Sequence, residues 1–456
     1  MLSLCKSGIL LILACNPGLT NKTFFEKRPI MDTSHKKHFL FLLFASFFLS
    51  CSTYSITPVI ALYLIEPFTS GGLGWSQDAA FAVVGTFLAT NYIAPFFGGL
   101  VADYKLGRKK TASIGYALAF LGALGTSFFT SNFAISFALL SFAVGSGWGK
   151  VCLNAHVGAL CANDKERNIR YDKNYVASGG GFLIGTLCGG ILFQYYSMHH
   201  LLFFAAGLII CSSIAAFFCF SPYLETSRKS VEEPTHDSAQ NNALLPYALL
   251  LLLSILFFLS SNQINALLPL FLQNKIDRSI GSLIIPTIWF NSFGAIVMIC
   301  TSSLRLRAYK KMDSSSPFPE FFKLGIGFLL SFISFAMLFL LYQYDALTLS
   351  FLLLIHALLF IGDAHVRPVL FAASSKYVDK RFRTIATASV STSIGIGGKI
   401  AGSFAGLITV LDYGPSFFLC ALSAILGTVL CFSLWRYAMP AFQGRSFEQI
   451  EDGKTL

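Results

Sequence analysis

Seven ionisable side chains, Lys150, His156, His356, Asp363, His365, Arg367 and Lys399, stand well inside long apolar stretches of the chain. At the centre of a lipid bilayer a charge costs roughly 2.5–3.5 kcal/mol even on the lenient insertion scale, so such groups serve to pair, to meet a charged ligand or to move protons. A lysine offers donors to a carboxylate or phosphate, and an aspartate accepts from an ammonium or holds a proton. An imidazole titrates near pH ~6.5, which makes His156 and His365, with Asp363, the candidates for carrying a proton. Spacing sorts the groups onto faces. Ser146, Lys150 and Asn154 recur every four residues and share one face of a helix, as do His356, Phe360, Asp363 and Arg367. Asp363 and Arg367, at i and i+4, are also placed to neutralise each other. Lys150, Arg367 and Lys399 against the single carboxylate of Asp363 favour an anionic ligand. A zwitterion fits as well, with its carboxylate on Lys150 or Lys399 and its ammonium on Asp363.

The composition says what must hold these groups. Of 456 residues 55% are apolar and 12% charged, against roughly a quarter charged in soluble domains. Mean hydropathy is +0.66. Apolar runs long enough to cross a bilayer predict twelve helices, near 38–65, 80–102, 111–130, 133–160, 174–197, 200–222, 244–273, 281–304, 322–342, 346–372, 384–411 and 414–437. The expected fold is an all-α membrane protein of two six-helix bundles, 38–222 and 244–437, joined by a polar linker over 223–243. A segment 1–37 precedes them and a tail 438–456 follows. Lys150 falls in the fourth span and Asp363 in the tenth, its counterpart if the halves are parallel repeats, so the two should face across a central cavity.

Lysine and arginine fix the orientation. The linkers "DYKLGRKK", "NDKERNIRYDK", "TSRKS", "RLRAYKK" and "SKYVDKRFR" hold nearly all of them, while the opposite loops hold only Lys275 and Arg278. Both termini are therefore expected in the cytoplasm, with the protein multi-pass in the cell membrane. "GILLILAC" near the start is too short to span, and residues 1–30 read as a mispredicted start before Met31 or a cleaved signal.

Other classes are disfavoured. Eleven cysteines fall mostly in apolar runs without CxxC or Cys/His spacing, so neither a metal centre nor a disulfide frame is expected. The formal charge of +11 resides in short loops, where lipid topology explains it better than nucleic acid does. There is no G-x-S-x-G, no H-E-x-x-H and no paired acidic motif for an enzyme, and a receptor would carry a larger output domain than the tail after Tyr437. No cofactor is expected, and a monomer is.

The turn "GGLVADYKLGRKK", residues 98–110, follows the second span. Gly98 and Gly99 let helices approach closely, Asp103 is a carboxylate able to attract a helix end or a base, and Gly107 permits a tight turn. Gly99, Asp103, Gly107, Arg108 and Lys109 resemble the signature of the major facilitator superfamily, in a variant with one extra residue before the second glycine. The resemblance implies alternating access, with these five residues as a gate.

Further stretches resemble the proton-dependent oligopeptide transporters within that superfamily. "YIAPFFGGLVADYKLGRKKT" is similar over its whole length, and "IPTIWFNSFGAIV", containing Trp289, is close to I-P-x-x-W-F-Q-S. "SNQINALLPLF" resembles the family's Glu-Gln motif with Asn262 in place of glutamate, and "GDAHVRPVLFAASSK" resembles its tenth-helix motif with Asp363 for glutamate. "KVCLNAHVG" keeps the family's lysine as Lys150 but lacks the Pro-Asn after it, and Tyr54 and Tyr92 match tyrosines of the family's cavity. The first span reads "SFFLSC" where the family has E-x-x-E-R-F, so the charges of the family's usual coupling route are missing from it. The resemblance implies a secondary active transporter taking up di- and tripeptides with protons. Its substrate-binding residues would be Tyr54, Tyr92, Lys150, Asn154, Asn262, Trp289, Asp363 and Lys399, its proton carriers Asp363, His365 and His156, and its driving force a proton gradient. Another small anionic or zwitterionic solute, an amino acid, a phosphorylated metabolite or a dicarboxylate, without proton coupling, is the alternative.

Overall fold

The computed structural model describes residues 33–67, 72–129, 131–161, 164–220, 244–275, 279–280, 283–284, 287–309, 319–409 and 413–438. Two compact units divide the chain, Met1–Lys36 and Lys37–Leu456. Of the first, only Thr33–Lys36 are described, as the opening turn of a helix; everything below concerns the second.

Among the described residues twelve long helices follow one another. They are α1 (Thr33–Ile56), α2 (Gln77–Val101), α3 (Gly107–Phe128), α4 (Asn132–Ala159), α5 (Asp164–Tyr195), α6 (Met198–Cys219), α7 (Leu244–Lys275), α8 (Thr287–Tyr309), α9 (Pro319–Gln343), α10 (Leu349–Tyr377), α11 (Arg383–Thr409) and α12 (Gly414–Ser433). Ser76, Ser131 and Thr348 start α2, α4 and α10 by accepting a hydrogen bond from the backbone N–H three residues on. Eight stretches of these helices are long and apolar enough to cross a membrane, one of them, Ala82–Phe128, taking in α2 and α3 together. The protein is a multi-pass membrane protein.

Several boundaries differ from the hydropathy reading. The first expected span, 38–65, breaks at Pro58, whose missing N–H ends α1, and the chain resumes as a short helix, Ile60–Ile65. α5 begins at Asp164, ten residues ahead of the expected 174, and α8 runs on to Tyr309 instead of stopping at 304. Charges end a hydropathy window but do not end a helix when they find partners: Arg170 pairs with Glu166 one turn away at 2.6 Å, and Arg305 pairs with Asp172 across the bundle. Before α8, where continuous helix was expected from 281, Ser279–Ile280 and Leu283–Ile284 pair as a two-residue antiparallel ladder.

Small residues set the packing. Gly181, Gly185 and Gly189 of α5 lie against the backbone of Phe47, Cys51 and Ser55 of α1, so a Cβ at any of them would collide with a carbonyl. Ser52 and Ser212 add hydroxyl bonds between α1 and α6, to the carbonyls of Ala205 and Ala45 at 2.9 and 2.8 Å. In the first half α3 packs on α4 and α6, and α2 on α4; in the second, α9 packs on α10 and α12, and α7 on α11 and α12. Two pairings carry most of the contact between the halves, α5 with α8 and α2 with α11, with α5–α10 and α4–α11 adding to them.

Candidate functional site

Midway along the helices, side chains from both halves converge. Lys150 of α4, Tyr92 of α2, Asp363 and Arg367 of α10 lie close enough to feel one another's charge, and Tyr54 of α1 and Tyr175 of α5 belong to the same cluster. Asp363 is its hub. It accepts a short 2.5 Å hydrogen bond from the Tyr175 hydroxyl across the halves, and Arg367 holds it with bonds of 3.0–3.3 Å from Nη2 and Nε. The Arg367 guanidinium also lies 4.6 Å over the Phe258 ring of α7, and Tyr54 packs on Phe182 at 4.3 Å between centroids. Lys150 has no ion-pair partner among the described residues. With Asp363 balanced by Arg367, the cluster carries one uncompensated positive charge, on the first-half side.

The other sequence candidates lie elsewhere. Asn154 is buried in the α4–α5 joint, its Oδ1 accepting from Asn174 and its carbonyl from the Tyr171 hydroxyl, each at 2.9 Å, so it is spent on structure. His156 packs against the Phe220 ring, 4.8 Å between centroids, away from Asp363. His365 bonds through Nδ1 to the Ile361 carbonyl of its own helix at 2.8 Å, near Arg305. His356 bonds the Phe290 carbonyl at 3.0 Å and joins α10 to α8. Lys399 is exposed on α11, and no hydrogen bond or ion pair joins it to the cluster among the described residues. The side chains of Asn262 and Trp289 lie outside the described residues.

At the end of the bundle that carries the basic turns, the 98–110 segment forms a joint. A single π-helical turn, Ala102–Leu106, follows α2, and Gly107 turns the chain with φ of 77°, a value that favours glycine. Asp103 Oδ2 accepts from the Ile385 N–H at 2.9 Å, in the first turn of α11, where unpaired amides and the helix dipole attract an anion. Arg108 donates to the Thr384 hydroxyl at 2.9 Å. Gly99 lets the backbones meet: a Cβ there would stand 3.0–3.2 Å from Ala388, Thr384 and Ile385. Lys109 lies 4.0 Å over the Phe217 ring of α6, within its own half.

The same end holds a second joint that the sequence reading missed. Asp172 of α5 pairs with Arg305 of α8, both fully buried, although hydropathy placed them in solvated linkers. Tyr175 was missed with them. A signal was present: Asp172, Gly179 and Thr186 are seven apart, and all three face α8, where Arg305, Met298 and Ser292 answer them. Extending the helical period upstream of the glycines would have found both Asp172 and Tyr175.

Comparison with known proteins gives this arrangement its place. Residues 42–318 match the Major Facilitator Superfamily model and residues 224–416 the POT family model. Among characterised relatives, the peptide transporter YePEPT of Yersinia enterocolitica is 30% identical over 32% of this chain and 30% of its own length. The di-/tripeptide transporter of Lactococcus lactis is 27% identical over 60% of this chain and 54% of its own, so the chain spans about a third to a half of these two. A crystal structure of a POT family transporter in complex with a thioalcohol-conjugated peptide superposes with a TM-score of 0.72 at 16% identity, covering 87% of this chain and 95% of that one. The twelve-helix fold is thus shared, and because the superfamily match takes in more than half of the sequence, the protein belongs to the Major Facilitator Superfamily and is a transporter.

Proposed function

We propose that the protein takes up di- and tripeptides by alternating access, driven by protons, with its basic end in the cytoplasm. The observation that carries this reading is the central cluster, in which Lys150 from one half and Asp363 from the other stand together with three tyrosines. A small peptide has one anionic and one cationic end, and Lys150 is the unpaired donor for its carboxylate. Its ammonium would compete with Arg367 for Asp363, so that binding loosens the Arg367–Asp363 pair as it makes a new one. The named relatives that transport peptides support the same reading. Purified protein in proteoliposomes, given an inward proton gradient, is expected to accumulate labelled dialanine, and Lys150→Ala to lose about tenfold or more in kcat/KM, equal to ~1.4 kcal/mol of transition-state binding.

A second reading has its own observation. Because Asp363 is already satisfied by Arg367 and Tyr175, the cluster's net charge is positive, which suits a phosphorylated or dicarboxylate solute. Phosphoserine or succinate entering the vesicles while dialanine neither enters nor competes would replace the peptide reading with this one.

A further inference from the structure

α5 and α8 stay in contact along their lengths, and the described contacts of their shared face are uncharged except at the basic end. The Thr186 and Ser292 hydroxyls meet at 2.8 Å, Gly179 lies against the Met298 side chain, and beyond them Asp172 meets Arg305. Side-chain exposures of 5% for Arg305 and 2% for Asp172 put the ion pair out of water. Arg305 has a further acceptor on another helix, donating from Nη1 to the carbonyl of Ala364. That carbonyl is free because Pro368, four residues on in α10, has no N–H to close the helical bond. One guanidinium therefore ties α5 of the first half to α10 of the second, one residue from Asp363.

Asp172 is only half satisfied. Oδ1 takes Arg305, while Oδ2 is buried and has no hydrogen-bond partner among the described residues. An ionised carboxylate offers two acceptor oxygens, and a buried one left bare is costly unless its charge is removed. The pair must also part if the basic end is to open, and separating two buried ions while both stay charged is among the most expensive events a protein core allows. The groups facing Asp172 are Arg305 from α8 and Lys323 from α9, with Glu320 of α9 and Lys376 of α10 beyond Lys323. His365, Asp363 and Arg367 of α10 and Tyr175 of α5 stand around Arg305 and the hub, and Glu166 and Arg170 are paired one turn down.

We propose that Asp172 carries the coupling proton. A proton taken onto Oδ2 turns the ion pair with Arg305 into a weaker bond to a neutral acid, and α5 is released from α8 and α10 at the basic end. Water entering there takes the proton away, the carboxylate re-ionises, and Arg305, which remains protonated throughout, regains it when the end closes. The inference rests on the proton-driven reading above and gives it a site distinct from the solute cluster.

Infrared difference spectra of the purified protein in lipid, acidified stepwise without solute, read the site directly. A protonated-carboxyl band that grows on acidification in the wild type and is missing in Asp172→Asn is expected, with Asp363→Asn as the control that keeps it. An Asp172→Asn protein that titrates as the wild type does overturns the proposal. In vesicles, Asp172→Asn is expected to lose gradient-driven accumulation of dialanine about tenfold or more. It should keep solute counterflow, which no longer varies with pH; unimpaired accumulation overturns the proposal. If Asp172→Asn does not fold, Asp172→Glu decides: the band and the pH profile of uptake should move together, and an unmoved profile overturns it. Wild-type vesicles that move neither dialanine nor phosphoserine would remove the transport reading, while the band would still decide the proton site.

Discussion

The α2–α11 contact and the α5–α8 contact join the same two halves at the same end, and they are built from opposite materials. α2 meets α11 backbone to backbone through Gly99, with a carboxylate, Asp103, resting on the Ile385 amide in the first turn of α11. α5 meets α8 through side chains, and its bond at that end is a buried ion pair with a second hold on α10. The first contact would part with little change in solvation, because Asp103 and Ile385, the two residues its hydrogen bond joins, are each only half-buried. The second cannot, since its charges have no water to return to until the end has already parted. On the proposal above, a graded latch and an all-or-none lock would sit side by side.

Substitutions at three places test this contrast, the largest effect first. Arg305→Met strands a buried carboxylate and should lower folding stability by about 3–5 kcal/mol, whereas the double change Asp172→Leu with Arg305→Met should recover most of it. Thermal unfolding in detergent measures the cycle, and two additive single effects would mean that the pair is no lock. Gly99→Val must push α2 from α11 and should cost about 1–3 kcal/mol, seen as a lower Tm with faster loss of transport. Smallest is Asp103→Ala, about 1 kcal/mol for a lost helix cap, while Asp103→Asn, which still accepts from the Ile385 N–H, should lose only a few tenths. Equal damage from both Asp103 variants, measured as transport rate at fixed gradient, would show that its charge and not its geometry holds the latch.

The same contrast explains what could be read from the residues alone. The contact that the Gly99–Lys109 turn makes was legible because its geometry is local: glycines for approach, a carboxylate for a helix end, and a fixed spacing between them. The gathering of Lys150, Tyr54, Tyr92 and Asp363 was legible because an ionisable or matched aromatic group inside an apolar run stands out. Asp172 and Arg305 did not stand out, lying in stretches as charged as any loop, and only the fold shows that those stretches are helix and that their charges face inward. Asn154 is the converse case. It is polar at the right depth but is turned into a helix joint, and helical depth does not specify direction around the helix.

The ladder of Gly181, Gly185 and Gly189 against Phe47, Cys51 and Ser55 has a mechanical outcome. With main chain seated on main chain over three successive rungs, α1 has no slack in which to swing alone, so any displacement of α5 drags it along as a strut. The helix that bears Tyr54 is thereby coupled to the one that bears Asp172 and Tyr175. A lever of two rods, one carrying the chemistry and the other stiffening it, would let a single proton at one tip shift a Tyr54 hydroxyl on its neighbour.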